Sequence, residues 1–195
     1  MVKIKKAYNN YIKKIYLGKR AYFIEIDEHG YDDKNESMAI AAASFPIVYI
    51  YGDNVFKQNK DIVELCKNIN KNNPMTEIII ETDGMVRPIG MNSIKNVKYF
   101  VFVKPIDNDD ESMDNRMNEN AWKWLGKAGA HFIYPIENID DLDTINTIIS
   151  GLMIKKKQVY VKIKNDDDFS KIVFNTKTFG FNIYVEFNGD WIDQE

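Results

Sequence analysis

Carboxylates and a lysine recur where apolar segments of this chain stop. Glu25 and Asp27 close one such segment. Asp53 and Asn54 follow Pro46–Tyr51, Glu81 and Asp83 end Thr76–Glu81, and Lys104 follows Lys98–Val103. Glu137 and Lys164 come after two later segments. Carboxylates grouped around a lysine perform acid–base chemistry when burial separates their proton affinities. A lysine so placed can also form a Schiff base with a carbonyl. The candidate catalytic residues are therefore Glu81, Asp83 and Lys104, with Asp53 beside them. The competing reading is that these charges are solvated loop residues.

Other reactive groups are few. The single cysteine, Cys66, falls in Asp61–Asn70 on the apolar face of a predicted helix, with Ile62, Val63, Leu65 and Ile69. That pattern predicts a buried, unreactive thiol. One cysteine also excludes an internal disulfide and any site built from several thiolates. His29 precedes Gly30 in a predicted turn, and His131 opens an apolar strand, where a structural histidine with its hydrogen bonds met is expected. Asp107, Asp109, Asp110, Glu111 and Asp114 form an acidic loop. It lacks the ordered spacing and glycine of a calcium loop and reads as solvated. The Asp166–Asp168 run suits a helix N-terminus. No Walker loop, dinucleotide fingerprint or HExxH motif is present.

The elements that must position these residues alternate. Strands are predicted at Arg20–Ile26, Pro46–Tyr51, Thr76–Glu81, Lys98–Val103, Ala130–Pro135, Gln158–Ile163 and Phe181–Phe187. Helices are predicted at Asn35–Ala43, Lys60–Asn70, Arg116–Ala128, Asp140–Met153 and Asp168–Phe174. Apolar strands alternating with amphipathic helices specify a parallel sheet with helices outside. Six or seven such steps are too few for a closed eight-fold barrel. The expected fold is an α/β open partial (βα) barrel of six to seven mostly parallel strands, with a doubly wound sheet as the alternative. Trp122 and Trp124 lie two apart on a helix, so one is expected in the core and the other partly exposed.

Composition is that of an ordinary globular chain: 195 residues, 45% hydrophobic, 28% charged, net charge −3. One domain over residues 1–195 is the simplest reading. Residues 1–19 form a basic segment without an acid, in which Ile4, Tyr8, Tyr11 and Ile15 fall at helical spacing. It lacks the continuous apolar core of a secretion signal, and no stretch is long and apolar enough to span a bilayer. A cytoplasmic protein with no membrane partner and no nucleic-acid partner is expected.

Several motifs resemble one family. Gly18 to Glu25 is similar to the glycine and Phe-Ile-Arg stretch of 7-carboxy-7-deazaguanine synthases, which are radical S-adenosylmethionine (SAM) enzymes. Gly52-Asp53-Asn54 resembles that family's Gly-Gly-Glu, keeping only the first glycine. Val55-Phe56-Lys57-Gln58 resembles its apolar pair and glutamine before a helix. Glu81-Thr82-Asp83-Gly84 is the closest agreement, matching Glu-Thr-Asn-Gly, and Val103-Lys104-Pro105 loosely matches Ser-Pro-Lys. The likeness covers roughly residues 11–105. It implies a shortened βα barrel and a ligand site that includes Gly52, Asp53, Asn54, Glu81, Thr82 and Gly84.

The chain departs from the family where its cluster is held. Asp27-Glu28-His29-Gly30-Tyr31-Asp32-Asp33 contains no cysteine in place of the Cys-x-x-x-Cys-x-x-Cys loop. A four-iron cluster needs closely spaced thiolates, which Cys66 alone cannot supply. The family's Gly-Glu-Gly substrate segment is likewise missing near Ile12-Lys13-Lys14. The expectation is a cluster-less radical-SAM-like protein, binding or accessory rather than redox, with a remnant nucleotide- or purine-sized cleft. No cofactor is expected beyond residual SAM binding, and a protein partner or homo-oligomer accompanies this reading. The alternative is an enzyme that uses the rim carboxylates and Lys104.

Overall fold

The computed structural model describes residues 2–12, 19–27, 31–32, 35–52, 55–104, 117–163 and 169–184. Nine strands belong to one sheet: β1 Lys3–Tyr11, β2 Arg20–Ile26, β3 Tyr31–Asp32, β4 Ile47–Gly52, β5 Glu77–Thr82, β6 Val97–Phe102, β7 His131–Ile136, β8 Val159–Ile163 and β9 Asn182–Ile183. Among the described residues five α-helices accompany them: α1 Asn35–Ala43, α2 Asn59–Asn72, α3 Glu119–Lys127, α4 Asp141–Gly151 and α5 Phe169–Phe179.

The sheet runs β3-β1-β2-β4-β5-β6-β7-β8-β9, and among the described residues it does not close. From β2 to β9 every pair is parallel, and seven strands stand in chain order. The order never reverses, as it would at the switch point of a doubly wound sheet. Right-handed crossovers that always step the same way stack their helices on one face. The packing agrees, because apolar residues from all five helices enter one cluster with one set of strand residues. That set includes Ile24, Val48, Ile50, Ile78, Ile80, Val101, Phe132 and Val161.

Opposite-pointing residues on the same strands form a second cluster: Ala21, Ile47, Tyr49, Ile79, Phe100, Ile133 and Tyr184, with Phe23, Tyr51, Phe102 and Tyr160 at its margin. No described helix contributes to it. The period of two in β4 makes this division plain, since Val48 and Ile50 face the helices while Tyr49 and Tyr51 face away.

The N-terminal segment corrects the sequence reading. Over Lys3–Tyr11 it is a strand, not a helix, and β1 pairs antiparallel with β2 and with β3; Ile15 lies outside the described residues. The predicted one-sided stripe does not form: Ile4 lies on the helix side while Tyr8 stacks on Phe23 on the other face, and a register shift between Ile4 and Lys6 interrupts the strand's period of two. The bulge puts Ile4 and Ala7, three residues apart, on the same helix side. The other elements fall within a few residues of expectation, except that α5 continues to Phe179 and β9 is only two residues long. Trp122 is buried and Trp124 half-buried, as their spacing requires.

Candidate functional site

The face that the described helices leave free carries paired phenols and carboxylates. Lateral pairing places Glu25 beside Tyr51 on the adjacent strand. Glu81 pairs with Phe100, and Phe100 with His131, across β5, β6 and β7. Each of the two glutamates accepts from a tyrosine. The Tyr49 hydroxyl donates to Glu81 Oε2 at 2.6 Å, and the Tyr51 hydroxyl donates to Glu25 Oε2 at 3.2 Å. Lys5 Nζ lies 2.8 Å from Glu25 Oε1, and the Tyr8 and Tyr51 hydroxyls are 3.1 Å apart. Partial burial raises the Tyr51 phenol above its usual range, and Tyr8 and then Glu25 add to it by opposing a phenolate. Tyr51 is thus a donor held in its neutral form.

Aromatic rings tile the same face. The Tyr8 ring stacks on Phe23 at 5.3 Å, Phe23 meets Tyr49 at 5.3 Å, and Tyr49 meets Tyr51 edge-on at 6.1 Å. Further along, the His131 ring stacks on Phe100 at 5.1 Å and contacts Tyr160 at 5.1 Å. Its Nδ1 is buried without a hydrogen-bond partner among the described residues, where a satisfied histidine was expected from sequence. Burial, and then the Lys98 ammonium, lower its proton affinity. Lys98 itself pairs with Glu77 at 2.8 Å.

The residues matched to the ligand motif divide sharply. Glu81 sits half-buried on the aromatic face. Thr82 is buried on the helix side, and its hydroxyl accepts from the Gly84 amide at 3.1 Å. Gly84, at φ +75°, packs so closely that a Cβ would stand 2.7 Å from Trp122 Nε1 and 2.9 Å from Val101 Cγ1. Gly52, at φ +136°, lies against the Ile26 carbonyl, and a Cβ there would fall 2.0 Å from that oxygen. Packing alone accounts for Gly52, Thr82 and Gly84. Asp83 accepts from the Met85 amide at 3.0 Å and Lys104 is exposed, so described contacts tie Glu81 and Asp83 to different partners. Asp53, Asn54, His29, the acidic run 107–115, Lys164 and Asp166–Asp168 lie outside the described residues.

Cys66 is fully buried among helix-side apolar residues, and burial pushes its thiol up to about 12. It is a packing residue, and with it as the lone thiol the chain's own donors do not fit a thiolate-held iron–sulfur cluster. Among the described residues no three His, Cys, Asp or Glu side chains are grouped to hold a metal ion. None of their helices is long and apolar enough to cross a membrane.

Sequence reasoning found Glu25 and Glu81 but missed Tyr49 and Tyr51. The signal was available: two tyrosines alternate with Val48 and Ile50, which marks a strand face bearing polar tips. The chain matches no protein-family model and no relative among proteins of curated function.

Proposed function

We propose that this chain is an open partial βα barrel, related to radical SAM enzymes of the deazaguanine type, that works without a cluster as a binding or accessory protein. Its ligand is a planar, purine-sized molecule received on the helix-free face of the sheet. The observation that carries this reading is the single direction of strand order. Seven parallel strands with all described helices on one side leave a second face on which Phe23 and Tyr51 are half-buried and Tyr49 and Phe100 lie buried beneath them. Aromatic faces stack on heterocycles, and base–aromatic stacking contributes about 1–3 kcal/mol per base. Glu81 at that face can accept an N–H from the ring edge, with Tyr49 fixing the carboxylate. The ligand could act alone or favour a protein partner or a second copy of the chain.

A second reading, acid–base catalysis, is favoured by the same Tyr49–Glu81 contact, which sets a phenol against a carboxylate. Lys104 and Asp83 would be its other actors.

A thermal-shift screen with purines, deazapurines, SAM and divalent ions tests both. Ligand at about a hundred times its dissociation constant adds roughly 2.7 kcal/mol, or about 5–10 °C in a chain of this size. A purine-type response that Glu81→Gln weakens while leaving the unliganded melting point within about 2 °C supports the binding reading. A SAM response abolished by Asp53→Ala extends it to the retained cofactor. Silence from every purine and from SAM removes it. Turnover of a purine-like substrate lost in Lys104→Ala transfers the case to catalysis.

A further inference from the structure

The end of the sheet where the parallel strands begin has a charge of its own. Three chain segments meet there: the end of α3 with Ala128–Ala130, the connection Met153–Gln158, and the end of α5 with Gly180–Asn182. Gln158 ties the first two, its side-chain amide donating to the Gly126 and Ala130 carbonyls at 3.0 Å each. Asn182 ties the third, donating from Nδ2 to the Lys157 carbonyl at 3.0 Å. These segments contribute Lys127, Lys155, Lys156, Lys157 and Lys177, every one exposed, and no acid. Met153 stands among them 79% exposed. The same end continues through Lys71 and Lys95, both exposed, past Met75 at 81% exposure, again without an acid between Lys71 and Thr76.

Lys127 and Lys177 complement the C-terminal ends of helices, which is reason enough for them. The Lys155–Lys157 run lies on no α-helix and has no such explanation. The opposite end of the sheet carries Asp27, Asp83, Glu137, Asp140 and Asp141. That end also carries the exposed Lys57 and Lys104, so its described charges are mixed, whereas the Lys155–Lys157 end is basic alone.

We propose that the basic end docks on an anionic membrane surface. Lysines near an acidic leaflet each contribute to adhesion, and short apolar side chains among them enter the headgroup region. Exposed methionines beside lysines suit that partner. Lysines contact nucleic-acid phosphates as they do anionic headgroups, but base readout and base stacking use arginine forks and open aromatic rings. This cluster has no arginine, and its two rings, Phe179 and Phe181, stack on each other at 5.6 Å with Phe181 buried. That no described helix can span a bilayer bears on insertion across one, not on adhesion to one.

The test is co-sedimentation of the full chain with phosphatidylcholine vesicles, with and without phosphatidylserine, at low and high salt. Binding should require phosphatidylserine and weaken with salt. Lys155→Glu/Lys156→Glu/Lys157→Glu should lower the partition coefficient by about fivefold or more per residue, on the order of a hundredfold together. Because Lys156 also covers the Phe181 ring at 6.0 Å, Lys155→Gln/Lys157→Gln checks the same effect with that contact kept. Met153→Ser should weaken binding without changing its salt dependence. Equal sedimentation with neutral vesicles, no sedimentation at all, or binding to a single-stranded RNA oligonucleotide without vesicle binding each overturns the proposal.

Discussion

Replacing Gly52 with alanine separates two explanations of the same residue. In a ligand-cradle account the glycine keeps space for a bound molecule. In a packing account it lets β4 close on β2. The structure gives the second a magnitude. Alanine would have to hold φ near +136°, a conformation that costs a non-glycine residue about 1–3 kcal/mol. Its Cβ would stand 2.0 Å from the Ile26 oxygen and 2.9 Å from the Ile26 carbonyl carbon. Both atoms are backbone in the parallel ladder, where Ile26 pairs with Gly52, so no rotamer can relieve the overlap. The end of the β2–β4 pairing must open, and the total loss should exceed about 3 kcal/mol, a large part of the usual 5–15 kcal/mol of a domain. Urea unfolding of the unliganded protein measures it directly. A Gly52→Ala protein within about 1 kcal/mol of the parent would refute the packing argument and return the glycine to the ligand.

Two further predictions concern the core and its titration. Tyr134 is buried on the helix side, its ring 6.1 Å from Trp122, and its hydroxyl has no hydrogen-bond partner among the described residues. An unmet buried hydroxyl costs about 1–3 kcal/mol, so Tyr134→Phe should leave stability unchanged or raise it by about 1 kcal/mol, or 2–4 °C in melting temperature; a loss of that size means the hydroxyl is bonded. Stability should also fall at both ends of the pH range. His131 has a lowered folded-state proton affinity, so its contribution is present above its unfolded value of 6.5 and is lost as pH drops below that. Cys66 rises from 9.0 to about 12, so its contribution is intact below 9 and fades as pH climbs toward 12. Unfolding midpoints across pH should show the acid slope reduced in His131→Phe and the alkaline slope reduced in Cys66→Ala.

The parallel part of the fold was legible because each step of it is local. An apolar run such as Ile78–Ile80 can only be a strand buried on both faces, and the amphipathic segment before it can only cover one of them. The β1 strand was not legible because its bulge broke the period of two that identifies a strand. The carboxylates were found for a local reason too, since Glu81 follows directly on an apolar run. Their phenol partners were not, because Tyr49 and Glu81 are 32 positions apart and meet only through strand pairing. The unmet His131 Nδ1 was equally invisible, as it depends on Phe100 and Tyr160 from two other strands enclosing the ring.

Direction of facing decides how much the family resemblance can carry. Of the matched positions within the described residues, Thr82 and Gly84 are used on the helix side and Gly52 is used by the neighbouring strand. A fold of this kind demands such residues whether or not anything binds, so their order and spacing do not by themselves argue for a ligand. Glu81 is different, because a half-buried carboxylate on the helix-free face is not required by packing. A protein that kept only its architecture would be free to replace Glu81 by an apolar residue and to lose the Tyr49 hydroxyl with it. The proposed working face therefore rests on the Tyr49–Glu81 pair and not on the glycines.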